Sequence, residues 1–514
     1  MSSVVGGRPA VQPDRLRRAA RVLWRDGAVV LAGLLLFLAF PPRTLWWTAL
    51  PAFALLWWAL QGVRARRGAV LGFVFGMAFF LPHLLWIQDF LGAQFGPWPW
   101  LGLSAVMAAF LAAYGAGVTL VTRLPGAPLW AAALFVLQES LRGRTPLNGF
   151  PWGRVAFGQV DGPYLPLAHY GGATLVTFAV VASGFCVAAL LTRPREIRRA
   201  VPVLVIAIAL VVVPAPPTDA QAGTRTVGTV QGNAPDDGLG LLGQRAEVRR
   251  NTLSVNAGLA GEIRAGTVPR PDFVVWPEGS TSTDGRDPVV DRAVADLGVP
   301  ALVGAIFRGD GGTENSVVEW DPVTGAGERY AKQELVPFSE RIPFRSISSA
   351  VTPFVDFDEW ADMRAGTRPG VLDVAGTRVG LGICYEVAYD WVLREGTQDG
   401  AQMLVVPTDN AWFGQSEMTY QQLGMARLRA VENGRAVVVA ALSGVSAVVE
   451  PDGSVARSTG MYTADTMVET VPLRTDITPA TRIGGWVEAG FAATALAACM
   501  AGFLARRRRG AAGG

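Results

Sequence analysis

Residues 379–386 read Val-Gly-Leu-Gly-Ile-Cys-Tyr-Glu. A short apolar run that is broken by Gly382 and followed at once by two polar residues predicts a buried strand ending in a sharp turn. The turn would present the sulfur of Cys384 at the end of the strand. A cysteine in such a place is more often a small buried hydrophobic residue than a nucleophile, so both interpretations stand at this point.

Similar apolar runs surround this strand and alternate with amphipathic helices. We expect strands at 224–231, 273–276, 301–307, 315–320, 371–375, 378–384, 402–406, 437–441, 447–450 and 466–471, and helices at 245–264, 288–298 and 417–434. Apolar strands separated by helices indicate a layered α/β domain with buried sheets.

The part of the chain that holds Cys384, roughly residues 215–480, contains no histidine, because the two histidines of the chain are His83 and His169. A nucleophilic cysteine usually takes its base from histidine. Cys384 therefore uses another group or is inert. A second cysteine is also absent from this part, so no disulfide can form there, and a lone thiol in an oxidising compartment favours a functional role.

A carboxylate and an ammonium are the available partners. Glu278 follows the apolar run 273–276 and Lys332 follows the short run 327–331, and carboxyl ends of strands in α/β folds converge on one crevice. Taken alone, each side chain is more often a solvated surface charge. Beside a cysteine without histidine, Glu278 is the best base, and we expect burial to raise its pKa. Lys332 would stabilise an oxyanion and lower the pKa of the thiol.

The composition is typical of a membrane protein. Half of the 514 residues are hydrophobic and only 17% are charged. Eight segments approach the length that crosses a hydrocarbon core of roughly 30 Å. They fall at about 26–40, 44–61, 68–88, 98–121, 127–141, 165–192, 200–215 and 485–505. The first and the seventh are short enough to be buried soluble helices instead.

Arginines lie in alternate loops between these segments, which the positive-inside rule makes cytoplasmic. They are Arg15, Arg17, Arg18, Arg21, Arg25, Arg64, Arg66, Arg67, Arg123, Arg193, Arg195, Arg198, Arg199 and the run 506–509. Three arginines in the 142–164 loop lie on the opposite side and do not overturn this assignment. We therefore expect a seven-span membrane domain at 1–215, an extracytoplasmic domain at 216–480, and a final span with a basic cytoplasmic tail at 481–514.

Several classes of function are not expected. The net charge of +3 is mostly due to the cytoplasmic arginines, which set topology and contact lipid headgroups rather than nucleic acid. The outer domain lacks the ligands of a zinc site, and no phosphate-binding glycine loop is present, so we expect neither metal nor cofactor. A transporter or receptor remains an alternative, but it would carry charges inside its spans, whereas Asp89 and Glu139 lie at span ends.

Several motifs, in chain order, resemble the nitrilase superfamily. They are 276–280, 332–340, 382–386, 407–414 and 427–435. A nitrilase domain set between seven spans and one final span is similar to the membrane-embedded apolipoprotein N-acyltransferase family. Residues 149–152 and 157–159 also match the loop that this family carries between its fifth and sixth spans.

The resemblance implies an α-helical bundle of eight spans joined to an αββα sandwich. It implies that Glu278 is the general base, Lys332 the oxyanion stabiliser and Cys384 the nucleophile. The further residues that match the family as supporting groups are Glu340, Tyr385 and Glu386.

The expected function is transfer of an acyl chain from a phospholipid to the α-amino group of the N-terminal diacylglyceryl-cysteine of apolipoproteins, through a thioester on Cys384. The expected place is the bacterial inner membrane, because moving acyl chains into water costs roughly 0.8 kcal/mol per CH₂. Leu335, Phe338, Trp412 and Phe413 could line the crevice or belong to a plain core. A membrane-tethered nitrilase-type amidase, with water as acceptor, is the alternative enzyme.

Overall fold

The structure, a computed structural model, describes residues 13–192, 200–234, 244–309, 311–346, 348 and 362–511. Its first part is helical. The helices are α1 (Pro13–Leu38), α2 (Ala49–Leu60), α3 (Ala65–His83), α4 (Leu85–Phe95), α5 (Trp98–Val121), α6 (Ala127–Arg142), α7 (Ala168–Thr192) and α8 (Ala200–Val212). Helix α7 is interrupted near its start, where Gly171 and Gly172 leave the helical conformation.

Four helical segments of the described chain are long and apolar enough to cross a membrane. They are Ala65–His83, Trp98–Val121, Leu165–Thr192 and Trp486–Arg509. By length and composition they correspond to the third, fourth, sixth and eighth expected spans. The expected third span extends too far, because α3 ends at His83 and Leu84 is no longer helical. Pro82 lies in the last turn of α3, where it removes one backbone hydrogen bond of the helix.

Helices α3 and α5 pack through glycines. A Cβ built on Gly68 would lie 2.3 Å from the carbonyl oxygen of Gly115, and one built on Gly115 would lie 2.2 Å from the carbonyl oxygen of Gly68. Any side chain at either position would push the helices apart. Small residues at such crossings allow close backbone approach, which is the usual way apolar helices associate in a bilayer.

The described residues of the second part contain the strands and five further helices. The strands are β1 (Thr224–Gln231), β2 (Phe273–Val275), β3 (Thr281–Thr283), β4 (Ala301–Gly309), β5 (Gly312–Asp321), β6 (Gly325–Ala331), β7 (Val371–Val374), β8 (Thr377–Leu381), β9 (Met403–Thr408), β10 (Val437–Ala441), β11 (Ala447–Val449), β12 (Val455–Ser458) and β13 (Asp465–Pro472). The helices are α9 (Arg245–Ala265), α10 (Pro288–Leu297), α11 (Asp390–Gln398), α12 (Met418–Asn433) and α13 (Pro479–Ile483), and α14 (Trp486–Ala511) follows them. All predicted strands and helices of this part are present. The strands β3 and β12 and the helices α11 and α13 were not predicted, and β6 was anticipated only as the short run 327–331 before Lys332.

These strands form two mixed sheets. The first has the order β13-β1-β2-β4-β5-β6, with β3 added beside β4, and the second has the order β12-β11-β10-β9-β8-β7. The central pairs β1–β2, β2–β4, β8–β9 and β9–β10 are parallel, and the outer pairs are antiparallel. Parallel pairs place the carboxyl ends of β2, β8 and β9 at equivalent edges, where the candidate site residues follow.

The sheets are the inner layers of a four-layer sandwich. Apolar side chains from both sheets, such as Val275 and Val405, share one core. On the outer face of the first sheet, α9 and α10 pack through residues such as Leu259 and Val294. On the outer face of the second sheet, α11 and α12 share a core with the N-terminal helices. The αββα sandwich is therefore continuous with the helical part of the chain.

The loop between α6 and α7 fastens these two parts together. Arg154 Nη1 lies 2.6 Å from Asp390 Oδ1 at the start of α11, and the Arg154 side chain is only 8% exposed. Arg144 Nη1 lies 2.5 Å from Glu488 Oε1 at the start of α14. Arg142 donates to two backbone carbonyls of its own loop. The three arginines that break the alternation of basic loops are thus held by structural contacts.

Candidate active site

Cys384 lies in the sharp turn that follows β8. It opens a short 3₁₀ helix, Cys384–Ala388, and its own φ is +52°. A positive φ at a residue other than glycine is uncommon and costs free energy, so the surrounding structure must hold it. The residue is 7% exposed. The predicted turn after the strand is confirmed.

The Glu386 carboxylate holds this turn against the segment that carries Lys332. Its Oε2 accepts the backbone N–H of Ile383 at 2.7 Å, while Oε1 accepts the backbone N–H of Gln333 at 2.7 Å and that of Glu334 at 3.0 Å. Glu386 is fully buried. Burial raises its pKa to about 7, although these backbone N–H groups favour the charged form. Glu386 therefore fixes the distance between the Cys384 turn and Lys332.

Lys332 lies between two carboxylates. Its Nζ is 3.2 Å from Oε1 of Glu278 and 3.0 Å from Oε1 of Glu340, and the residue is 1% exposed. Burial disfavours the ammonium, but these two carboxylates, with smaller effects of Cys384 and Glu386, hold the pKa of Lys332 well above its usual value. An ammonium has three N–H donors, so the two ion pairs leave one donor for a further acceptor.

Lys332 is also the only lysine in the chain, because the other basic side chains are arginines apart from the two histidines. A chain that otherwise uses arginine keeps a lysine where a compact point charge must fit between two carboxylates. A planar guanidinium with five donors would need more room and other acceptors. This count was a sequence signal for the residue, in addition to its place after a strand.

Asn315 completes the charged cluster and was not predicted. From β5, its Nδ2 donates to Oε1 of Glu278 and to Oε1 of Glu340, both at 2.6 Å. Its backbone carbonyl accepts the N–H of Lys332 at 2.8 Å. The amide orientation is fixed, since only the nitrogen can donate to two carboxylates. No sequence signal distinguished this residue, because an asparagine in a strand that borders a charged crevice looks like any polar strand residue.

Glu278 is charged at rest, contrary to expectation. Burial alone would raise its pKa, but the Lys332 ammonium and the hydrogen bonds from Asn315 and from the backbone N–H of Asp409 hold that pKa below its usual value. The Asp409 N–H lies 2.8 Å from Oε2 of Glu278. The prediction of a raised pKa is wrong because it considered burial without the ammonium beside the carboxylate.

The thiol of Cys384 is also shifted in the direction opposite to that predicted. Burial and the nearby Glu278 carboxylate raise its pKa, and the Lys332 ammonium only partly offsets them. The resting site therefore holds a neutral thiol beside a charged carboxylate. Such a pair transfers its proton when an electrophile arrives, rather than storing a thiolate.

Gln422 contacts the sulfur from the second outer helix layer. Its Nε2 lies 3.7 Å from Sγ of Cys384. Its Oε1 accepts the hydroxyl of Thr408 at 3.1 Å and the Nδ2 of Asn410 at 2.7 Å. Sequence reasoning missed Gln422, because one glutamine in a mostly buried helix carries no signal of its own.

The Tyr385 side chain packs against the α6–α7 loop and is not part of the charged cluster. Its hydroxyl lies 3.4 Å from the carbonyl oxygen of Gly149, and its ring stacks with those of Phe150 and Trp152 at centroid distances of 6.3 Å. Tyr389 reaches the same Gly149 carbonyl at 3.2 Å. Tyr385 thus joins the Cys384 turn to the α6–α7 loop.

The four apolar residues named as possible crevice lining differ in exposure and in their contacts. Leu335 is buried, which fits the plain core, whereas Phe338 is 54% exposed. Trp412 donates its indole N–H to Oδ2 of Asp409 at 2.8 Å. The ring of Phe413 lies 5.0 Å from that of Trp86 in α4, the helix between α3 and α5.

In the described part of the chain, no group of three or more His, Cys, Asp or Glu side chains could hold a metal ion.

Comparisons with known proteins show the family of the chain. Residues 32–186 match the family described as the apolipoprotein N-acyltransferase N-terminal domain, and residues 290–476 match the carbon-nitrogen hydrolase family. A protein of Mycolicibacterium smegmatis named apolipoprotein N-acyltransferase is 37% identical over 495 residues, which cover 90% of this chain and 82% of that protein. The chain belongs to the apolipoprotein N-acyltransferase family.

The chain is also similar to a second relative of that family and, over about half of its length, to a solved amidase structure. An apolipoprotein N-acyltransferase of Photobacterium profundum is 27% identical over 516 residues, covering 94% of this chain and 95% of that protein. Among solved structures, an amidase of the nitrilase superfamily from Nesterenkonia is 20% identical, with a TM-score of 0.35 and coverage of 49% of this chain and 93% of that chain. The protein is thus an acyltransferase with a nitrilase-like domain, and with its four apolar helices it is a membrane protein.

Proposed function

We propose that this protein transfers an acyl chain from a phospholipid to the α-amino group of the N-terminal diacylglyceryl-cysteine of apolipoproteins. Cys384 is the nucleophile, Glu278 the general base and Lys332 the oxyanion stabiliser. The observation that carries the proposal is a cysteine at a strained turn beside a buried lysine whose Nζ lies 3.2 Å from a charged glutamate. These groups supply an acyl-transfer site without histidine.

In the first half-reaction, the Cys384 sulfur attacks the carbonyl carbon of a phospholipid ester. Glu278 takes the thiol proton as the S–C bond forms, and the carbonyl π electrons move to the oxygen that faces Lys332. Collapse of the tetrahedral intermediate breaks the ester C–O bond. The leaving alkoxide takes the proton back from Glu278, so that a lysophospholipid departs and the acyl group stays on sulfur as a thioester.

In the second half-reaction, the α-amine of the diacylglyceryl-cysteine attacks the thioester carbonyl. Glu278 accepts a proton from the amine, and Lys332 again stabilises the oxyanion. The C–S bond breaks when the intermediate collapses, and the sulfur leaves as a thiolate. The proton held by Glu278 returns to Cys384, which restores the resting thiol and carboxylate.

The supporting residues position these three groups. Glu340 accepts from Lys332 and from Asn315, and Asn315 donates to Glu278, so these two residues fix the Lys332–Glu278 pair. Glu386 holds the Cys384 turn against the Lys332 segment. Tyr385 joins the α6–α7 loop to the turn that carries the nucleophile, Cys384.

The membrane explains how both substrates reach the site. Asp409, which contacts Glu278 through its backbone, also accepts from Trp412, and the neighbouring Phe413 packs on α4 between two membrane-length helices. This continuity supports a crevice that opens toward lipid. We infer eight spans in the bacterial inner membrane, cytoplasmic termini, domains at 1–215, 216–480 and 481–514, and a catalytic domain on the outer side.

The test uses purified protein in detergent micelles with a phospholipid and a synthetic diacylglyceryl-cysteine peptide. Mass spectrometry should find the peptide heavier by one acyl group on its α-amine, and should find the same acyl group on Cys384 when the peptide is left out. Cys384→Ala and Cys384→Ser are the matched controls and should give neither product. Acylated peptide from the alanine variant would contradict the proposal.

The amidase alternative is tested with the same purified protein, to which a small amide is added. Release of ammonia from a small amide, without acyl transfer from phospholipid, would favour a membrane-tethered amidase.

In cells, replacement of the resident transferase by this chain should leave lipoproteins N-acylated, whereas the Cys384→Ala variant should leave them with a free α-amine.

A further inference from the structure

Gln422 lies on α12, which packs on the outer face of the second sheet, and its side chain reaches the sulfur of Cys384 from this helix. Both Gln422 and Cys384 are almost fully buried. The distance of 3.7 Å between Nε2 and Sγ is within the range of a hydrogen bond to sulfur. The contact therefore lies in a dry place, where an N–H donor acts strongly on a developing negative charge.

The orientation of the Gln422 amide is fixed by two other donors. The Thr408 hydroxyl at 3.1 Å and the Asn410 Nδ2 at 2.7 Å both point at Oε1. A flipped amide would set its NH₂ group against the NH₂ group of Asn410. The Nδ2 of Asn410 also contacts Sδ of Met418 at 3.3 Å, and in this arrangement the Gln422 nitrogen faces the sulfur.

We propose that the Gln422 side-chain amide is a built-in hydrogen-bond donor to the Cys384 sulfur and stabilises this sulfur as a thiolate. It is a catalytic residue in the sense that it touches a reacting atom. Asn410 is a positioning residue, since it acts on the sulfur through Gln422. The Thr408 hydroxyl contacts Gln422 and also forms a hydrogen bond with the sulfur, which lowers the pKa of Cys384.

This role deepens the proposed function and rests on it for its place in the reaction. Lys332 has to serve two centres, the sulfur and the carbonyl oxygen, with the one N–H that its ion pairs leave. A separate donor on the sulfur frees that N–H for the oxyanion. The Gln422 donor acts when Glu278 removes the thiol proton, and again when the thiolate leaves the tetrahedral intermediate. No atom or proton is gained by Gln422 in either step.

Gln422 also explains how the site tolerates a carboxylate beside the thiol. The Glu278 charge raises the pKa of Cys384. A neutral amide can oppose this effect without adding a charge that would pair with Glu278 and remove the base. A lysine or arginine in the place of Gln422 would add such a charge and would pair with Glu278.

The experiment measures alkylation of Cys384 by iodoacetamide across a pH series, in the full-length protein with Cys186→Ala and Cys499→Ala, so that one thiol remains. In this background, Gln422→Leu should shift the midpoint pH of alkylation upward by about one unit, because a hydrogen bond to a charged group is lost. Gln422→Glu is isosteric and should shift it further, since a carboxylate replaces the donor. The matched control is Gln421→Leu, the neighbouring buried glutamine that contacts Trp152 and His83 instead, and its midpoint should not move.

Alkylation needs neither phospholipid nor acceptor peptide, so a failed acyl-transfer assay leaves this test intact. The proposal is overturned if the midpoint of Gln422→Leu coincides with that of the background protein at an unchanged unfolding temperature. It is also overturned if Gln422→Glu lowers the midpoint, and this variant gives the answer if the leucine variant does not fold. An equal shift in Gln421→Leu would assign the effect to helix packing and overturn the proposal as well.

Discussion

The Nζ atom of Lys332 lies 3.2 Å from Oε1 of Glu278, and both side chains are less than a tenth exposed. A buried ion pair of this kind is not a strong source of stability, because desolvation of both charges offsets their attraction. Its role here is electrostatic. It keeps the base charged and places an ammonium beside the sulfur, so that proton transfer and oxyanion formation occur in one dry site.

Lys332→Met should lower the rate of acyl transfer by about 10²–10³, since an oxyanion donor is removed. It should also lower the free energy of unfolding by roughly 3–5 kcal/mol, because Glu278 and Glu340 lose their shared cation. Lys332→Arg keeps the charge but not the compact shape, and we expect little recovery of rate. Rates with a fluorescent phospholipid, together with unfolding temperatures, check both statements. An arginine variant with wild-type activity would show that charge alone suffices.

Glu278→Gln should have opposite effects on reactivity and on catalysis. The Glu278 charge raises the pKa of Cys384, so its removal lowers this pKa and moves iodoacetamide alkylation to lower pH. Loss of the base should nevertheless slow acyl transfer by about 10²–10⁴. Alkylation midpoints and thioester yields from one protein preparation test the pair of effects. A variant that loses transfer and also alkylates only at higher pH would contradict this account.

Glu386→Gln should change how stability depends on pH. Burial raises the pKa of Glu386 to about 7, above the ordinary value of 4.5. Between these values the folded protein keeps a proton that the unfolded chain has released. Stability should therefore fall as the pH rises from 4.5 through about 7. The glutamine variant should lack this component, which unfolding temperatures at several pH values would reveal. Parallel pH profiles for the two proteins would count against it.

Arg154→Met should destabilise the protein by several kcal/mol, roughly the 3–5 kcal/mol that follows loss of one partner from a buried pair. Its side chain is 8% exposed and pairs with Asp390 between the helical part and α11. Arg144→Met is the matched control, because Arg144 is 60% exposed and its pair with Glu488 should contribute at most about 1 kcal/mol. Thermal unfolding in detergent measures both. Equal losses would mean that burial does not distinguish the two pairs.

Much of the fold could be read from local sequence patterns. Apolar runs between turn residues predicted β4, β9 and β10, since a strand buried on both faces needs a nearly continuous apolar run. The short β3 and the exposed β12 escaped, because their sequences, Thr281–Thr283 and Val455–Ser458, have neither a long apolar run nor strict alternation. The third span was drawn too long because hydropathy does not register where a helix stops.

The sequence by itself determined that Cys384 ends a strand, that no histidine stands near it in the chain, and that Glu278 and Lys332 follow other strands. These are properties of single segments, and residue type with local order is enough to state them. Only the tertiary structure decided the charge states and the neighbours. The pKa of Glu278 depends on an ammonium 54 positions away in the chain, and Asn315 and Gln422 enter the site from β5 and α12. Such effects fall off over a few ångströms in space, and no pattern along the chain encodes those distances.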